Sequence, residues 1–113
     1  MIRIPISWLE WGARHKIWSR PHFLCREVVE APVDEEMMPG LVYDEVRGGH
    51  RKWAHMLCPR CSEHIQLQTA AGSSWKITRD WLHRPTVQPS IWETEGCGAH
   101  FFVRKGRLIW CKD

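Results

Sequence analysis

The chain has 113 residues, 43% of them hydrophobic, with eight tryptophans and three phenylalanines against a single tyrosine, and a formal charge of +3. That length supports one domain with a modest core concentrated in a few large rings, and cores this small usually carry a staple. No stretch approaches the roughly 18 apolar residues that cross a bilayer, and the basic residues are interspersed with acids such as Glu27, Glu30, Asp34, Glu35 and Glu36, which leaves nucleic acid and membrane unsupported as partners.

Residues 7–18 open with Ser7, a helix-capping residue, and repeat Trp8, Trp11 and Trp18 at near-helical spacing. A short amphipathic N-terminal helix is expected there, weakened by Gly12. Arg3, Glu10 and Arg14 interrupt every apolar run at this end, so a secretory signal is not expected and the five cysteines should be reduced, in the cytoplasm.

The chain reads β-like from Phe23 to Val33, then Asp34-Glu35-Glu36 and Pro39-Gly40 mark a solvated loop before Leu41-Val42-Tyr43. Gly48-Gly49 predicts a turn, and Lys52 to Leu57 alternates as a strand that delivers the chain into Cys58. Ile65 to Gln68 leaves as a second strand; Ala70 to Ser74 is a small-residue loop, and Trp75 to Thr78 alternates again. Pro85 and Pro89 bracket the next segment, so Ser90-Ile91-Trp92 is predicted at a sheet edge. Phe101-Phe102-Val103 and Leu108-Ile109-Trp110 flank Arg104-Lys105-Gly106-Arg107, a hairpin pattern that returns Cys111 beside the start of its own hairpin. Three cations at a hairpin tip are more often a solvated turn, so RNA or DNA binding through them ranks last among the readings.

Cys58-Pro59-Arg60-Cys61 has the spacing of a metal knuckle, in which a tight turn aims both sulfurs at one ion. Cys97-Gly98-Ala99-His100 repeats the spacing with a cysteine and a histidine, after Gly96. Four protein ligands make a zinc ion structural, because no coordination position remains for water. The fourth place has two claimants. If Cys111 completes a four-cysteine set of Cys58, Cys61, Cys97 and Cys111, His100 is left beside the metal as an acid or base; if His100 is the ligand, most catalytic readings fall. Cys25 stands alone in an apolar context and reads as a buried thiol. His15, His22, His50, His55 and His83 have no paired spacing, and His64 follows the knuckle without a partner of its own.

Trp53, the Cys58–Cys61 knuckle, Ile65, Leu67 and Trp75, followed by Pro89-Ser90-Ile91-Trp92, Gly96-Cys97-Gly98-Ala99-His100-Phe101-Phe102-Val103, Gly106 and Trp110-Cys111, resemble a bacterial family. It is the family of small zinc-ribbon-like proteins encoded in bacterial ubiquitin-like conjugation operons, the Bub systems. The resemblance covers about residues 40–111. It implies a mainly β fold, a small antiparallel sheet domain around a zinc-ribbon-like site, with 1–39 as an extension and 40–113 as the core of a single domain. It also implies a serine-type peptidase that processes a ubiquitin-like modifier or removes it from conjugates, with that modifier and conjugation enzymes as partners. The family's Pro-Ser falls on Ser90 as nucleophile, and its Cys-x-x-His-Phe on His100 as base. Ala99 stands where many relatives have serine, which leaves that hydroxyl's role without a counterpart.

A serine hydroxyl needs an imidazole within hydrogen-bond reach to become a nucleophile, and a third group usually orients the ring. Glu63, after the knuckle, and Asp80 are the candidates, and Glu63 is the one taken. The amides of Gly96 to Gly98 are candidates for holding an oxyanion. The competing reading is a zinc-ribbon module that binds a ubiquitin-like protein or conjugating enzyme through Trp81 and Trp92, with no chemistry of its own.

Overall fold

A computed structural model describes residues 22–111 as eight strands and one turn of 3-10 helix, so the expected helix over 7–18 lies outside the described residues. The strands are β1 (Leu24–Val28), β2 (Leu41–Arg47), β3 (His50–Leu57), β4 (His64–Gln68), β5 (Lys76–Arg79), β6 (Pro85–Trp92), β7 (His100–Arg104) and β8 (Arg107–Trp110). They form two four-stranded sheets in sequential order, β1-β2-β3-β4 and β5-β6-β7-β8. Mainly β, with hairpin connections, is what the alternating segments predict. The acidic loop Asp34–Glu36 folds into the 3-10 turn.

One pairing departs from the antiparallel pattern. β1 runs parallel to β2, Leu24 opposite Leu41 through Val28 opposite Glu45, because the 12 residues between the strands, 29–40, carry the chain back to the same end of the sheet. The start of β1 stitches the sheets together: the Phe23 amide donates to Gly106 O at 2.9 Å and the Cys25 amide to His83 O at 2.7 Å. One core lies between the sheets, with Val42, Met56, Ile65 and Leu67 from the first meeting Ile77, Val87, Ile91, Phe101 and Val103 from the second. Phe101 is fully buried, and burial of such a side chain stabilises the fold by about 1.5–3 kcal/mol.

Strand β6 is not the edge that its prolines predict, since β5 lies on one side and β7 on the other. Both prolines sit where a ladder tolerates a missing N–H. Pro85 begins the strand, and Pro89 falls past the last β5 pair, Lys76 with Gln88, inside a register shift between Val87 and Ile91. Beyond that shift β6 pairs with β7 alone, so Ser90 to Trp92 keeps one backbone flank that β5 does not cover.

The turn at the end of the second sheet follows from its residues. Lys105 and Gly106 have φ of 48° and 76°, the left-handed pair that a two-residue hairpin requires to match strand twist. It sets the register Phe101–Trp110 and Phe102–Ile109, and the Cys111 amide then donates to His100 O at 2.9 Å.

Candidate functional site

Each sheet ends in a loop that carries sulfur. Between β3 and β4 the Cys58 amide donates to Glu63 O at 2.8 Å and the Ser62 amide to Cys58 O at 2.9 Å. Ser62 takes φ of 64° to close the turn, and the Arg60 amide points at Cys58 Sγ, 3.4 Å away. Between β6 and β7, the amides of Gly96 and Gly98 both donate to Glu93 O, at 3.2 and 2.9 Å, and the Glu93 amide donates to Ala99 O at 2.8 Å. Gly98 sits at φ of 80°, which a side chain would resist.

The two loops face each other. Cys58, Cys61 and Cys97 bring their sulfurs within 4.8 Å of one another, and Cys58 Sγ is 3.7 Å from Cys97 Sγ. A tetrahedral zinc with sulfurs at about 2.3 Å spaces its vertices about 3.8 Å apart, so the set fits a soft metal ion. The Ala99 amide is the largest cause drawing the Cys97 thiol below its usual range. The Cys61 thiol is pulled down by the Glu63 amide yet held up at about 11 by the crowding of Cys97, Cys58 and their surroundings. Three sulfurs compete for protons that a cation would displace. Neither His100 nor Cys111 belongs to this close group; Cys111 is at the end of β8, half-buried. Arg60 of the first loop lies 4.7 Å over the Trp110 ring, which braces the knuckle against the second sheet.

Beside the sulfurs, Ser90 Oγ and His100 Nε2 are 3.0 Å apart. The register produces this contact: Trp92 is the cross-strand partner of His100, and Ser90 is two residues earlier on the same face. The Trp92 ring stacks on the imidazole, centroids 4.7 Å apart and planes 11° from parallel. The Trp75 indole N–H donates to Ser90 O at 3.4 Å, fixing the backbone from below. With Nδ1 protonated, Nε2 accepts the serine proton, the arrangement that activates a hydroxyl.

The remaining expected residues fall elsewhere. Glu63 lines a cavity of about 690 Å³ with Cys61, His64, Trp92, Glu93, Thr94, Glu95, Gly96 and Cys97, so it neighbours the ring that covers His100. Asp80 is engaged in its own turn: its carboxylate accepts from the Leu82 and Arg84 amides, both at 3.0 Å, and from Arg84 Nε at 2.7 Å. The amides of Gly96 and Gly98 are turned inward on Glu93 O, so they do not serve as oxyanion donors. Trp81 and Trp92 are both exposed.

Sequence reading missed a pair of histidines. His55 Nδ1 and His64 Nε2 are 2.8 Å apart, His64 Nδ1 is 2.8 Å from Asp34 Oδ1, and His55 Nε2 is 3.8 Å from Glu45 Oε1. This chain of groups ties the 3-10 turn to β2, β3 and β4, and Glu45 also accepts from the Ala31 amide at 3.2 Å and Arg47 at 3.1 Å. Burial is the largest cause lowering the His55 pKa, reinforced by His64. A usable signal was present: His55 is three residues before the first knuckle cysteine and His64 three after the second, so the hairpin returns them to adjacent strands.

A family model described as bacterial ubiquitination-like system serine protease (BubE) matches residues 28–111. No curated protein and no solved structure matches the chain. Among the described residues no helix is long and apolar enough to cross a membrane.

Proposed function

The chain belongs to the family of serine proteases of bacterial ubiquitination-like systems, and from that premise we propose that it is a serine-type peptidase acting on a ubiquitin-like modifier, either trimming its precursor or releasing it from conjugates. The observation that carries this reading is the 3.0 Å contact between half-buried Ser90 Oγ and His100 Nε2 beside the exposed Trp92 ring. Ser90 Oγ attacks the carbonyl carbon at the modifier's C-terminal linkage while its proton passes to His100 Nε2. The imidazolium then protonates the leaving amine, giving an acyl-serine, and water deprotonated by the same ring releases the acid and restores the serine. Trp92 holds the ring in plane by stacking. Glu63 is the proposed orienting carboxylate, acting from the cavity beside Trp92.

Zinc is the proposed metal, held by Cys58, Cys61 and Cys97 with Cys111 as the fourth thiolate. It supplies a structural crosslink that keeps both loops and both ends of the Ser90–His100 strand pair in register. Reduced thiols of this kind fit a cytoplasmic setting.

The test is incubation of purified protein with modifier precursor and with conjugate. Ser90→Ala and His100→Ala should each lower cleavage by about three orders of magnitude or more while keeping their metal. Undiminished cleavage by Ser90→Ala would end the peptidase reading. The exposed Trp81 and Trp92 favour one rival, a binding module, which predicts modifier binding by the wild type without any cleavage. Metal analysis of Cys111→Ala tests the fourth ligand, with a lower zinc content expected.

A further inference from the structure

The face on which Ser90 and His100 emerge does not end with them. His100 and Phe102 are two apart on β7 and so point the same way, and Phe102 pairs across the hairpin with Ile109. Ile109 is 40% exposed and Trp92 54%, whereas the alternate residues Ile91, Phe101 and Val103 are buried in the core. An apolar strip thus runs from Trp92 over Phe102 to Ile109 on the outer face of β6, β7 and β8. Arg104 bounds it, its guanidinium 5.5 Å over the Phe102 ring, and Arg107 is the cross-strand partner of Arg104.

The two ends of this strip differ in shape and charge. At the Trp92 end is the cavity lined by Glu63, Glu93 and Glu95, a concave space suited to a single extended chain. At the Ile109 end the face is cationic, with Arg104, Lys105 and Arg107 around the hairpin tip. Any acyl group that reaches Ser90 Oγ lies across this face, so the body attached to that group must be accommodated on it.

We propose that the outer face of β7 and β8, centred on Phe102 and Ile109 and rimmed by Arg104 and Arg107, docks the folded body of the ubiquitin-like modifier through an apolar patch edged with carboxylates, while its C-terminal tail passes Phe102 to reach Ser90. This assignment rests on the peptidase reading and adds to it the surface that selects the substrate. Apolar contact at the centre supplies affinity, and the arginines supply register and association rate.

The experiment places Ile109→Asp and Arg104→Glu separately in two backgrounds and uses the modifier of the chain's own conjugation system as the probe. In a Ser90→Ala background, calorimetric binding of the modifier should weaken about tenfold or more, the scale of an interface anchor. In the active protein the KM for precursor should rise by a similar factor with kcat retained, while Ser90 is labelled by a small fluorophosphonate at the wild-type rate. Affinity and KM unchanged in a folded Ile109→Asp protein would overturn the docking face, whatever the cleavage result. Should Ile109→Asp fail to fold, Arg104→Glu at the exposed tip carries the same test. A wild-type chain that binds modifier through these residues but neither cleaves it nor takes the label would instead sink the peptidase reading and keep the docking face.

Discussion

Two histidine contacts of nearly equal length have different neighbours in this molecule. His55 and His64 meet at 2.8 Å, with His55 buried and Glu45 buried beside it. Ser90 and His100 meet at 3.0 Å next to the exposed ring of Trp92. The first contact joins carboxylates at both ends and ties down a loop; the second sets a half-buried hydroxyl against a half-buried ring, with one flank of its strand unpaired by β5. Distance alone therefore does not distinguish the two contacts, and it is the hydroxyl at one end of the second that the peptidase proposal uses.

The strongest way to break the comparison is to remove the loops that both pairs depend on. Cys58→Ser, or stripping metal with a chelator, should unfold the domain at ambient temperature, because structural zinc sites contribute on the order of 10 kcal/mol. Loss of the β circular-dichroism signal with loss of zinc is the readout; a chelated protein with an unchanged melting curve would remove the metal from the fold. A sharper cut exchanges the roles of the histidines. His100→Gln should lower cleavage by a factor of about 100 or more and leave thermal stability nearly unchanged. His64→Gln should do the reverse, costing about 1–3 kcal/mol of stability while cleavage stays within about fivefold, the rate equivalent of 1 kcal/mol.

A smaller effect follows from proton linkage. The folded state holds the His55 pKa below its usual 6.5, so the unfolded chain binds more protons in acid. Stability supplied by the neutral ring is fully present above 6.5 and is lost as the pH falls below that value. Denaturation midpoints taken down through this window should fall in the wild type and fall less in His55→Gln; parallel curves would refute the assignment. The smallest effect concerns Cys25, fully buried and pushed up to about 12 by burial first and Asp44 second. It should resist a maleimide in the native protein at pH 8 and react only after unfolding.

The sequence announced its hairpins because each lies on local chemistry: Gly48-Gly49 and Lys105-Gly106 are turns by residue type, and the strands beside them alternate. It did not announce the parallel pairing of β1 with β2, since nothing local encodes which way a strand approaches a distant partner. Asp80 looked like an available carboxylate, and only the turn of 80–84 explains its engagement. The knuckle cysteines were legible from spacing. Ser90 was singled out by resemblance alone, because a serine after proline is otherwise an ordinary turn residue, and the register brings it within 3.0 Å of His100. The contact between His55 and His64 needed the register of β3 on β4, where Leu57 pairs with His64 and His55 with Gln66, to bring two unremarkable positions together diagonally.

The parallel first strand carries a practical consequence for anyone trimming the chain. The family match begins at residue 28, yet Leu24 to Val28 is hydrogen-bonded along β2. A protein shortened to start at 28 would leave the amides and carbonyls of β2 as a bare ladder and remove Cys25 from beside the core residue Val42. Such an edge recruits another copy of itself, so precipitation or dimerisation of the shortened form would report a missing cover, not a failed catalyst.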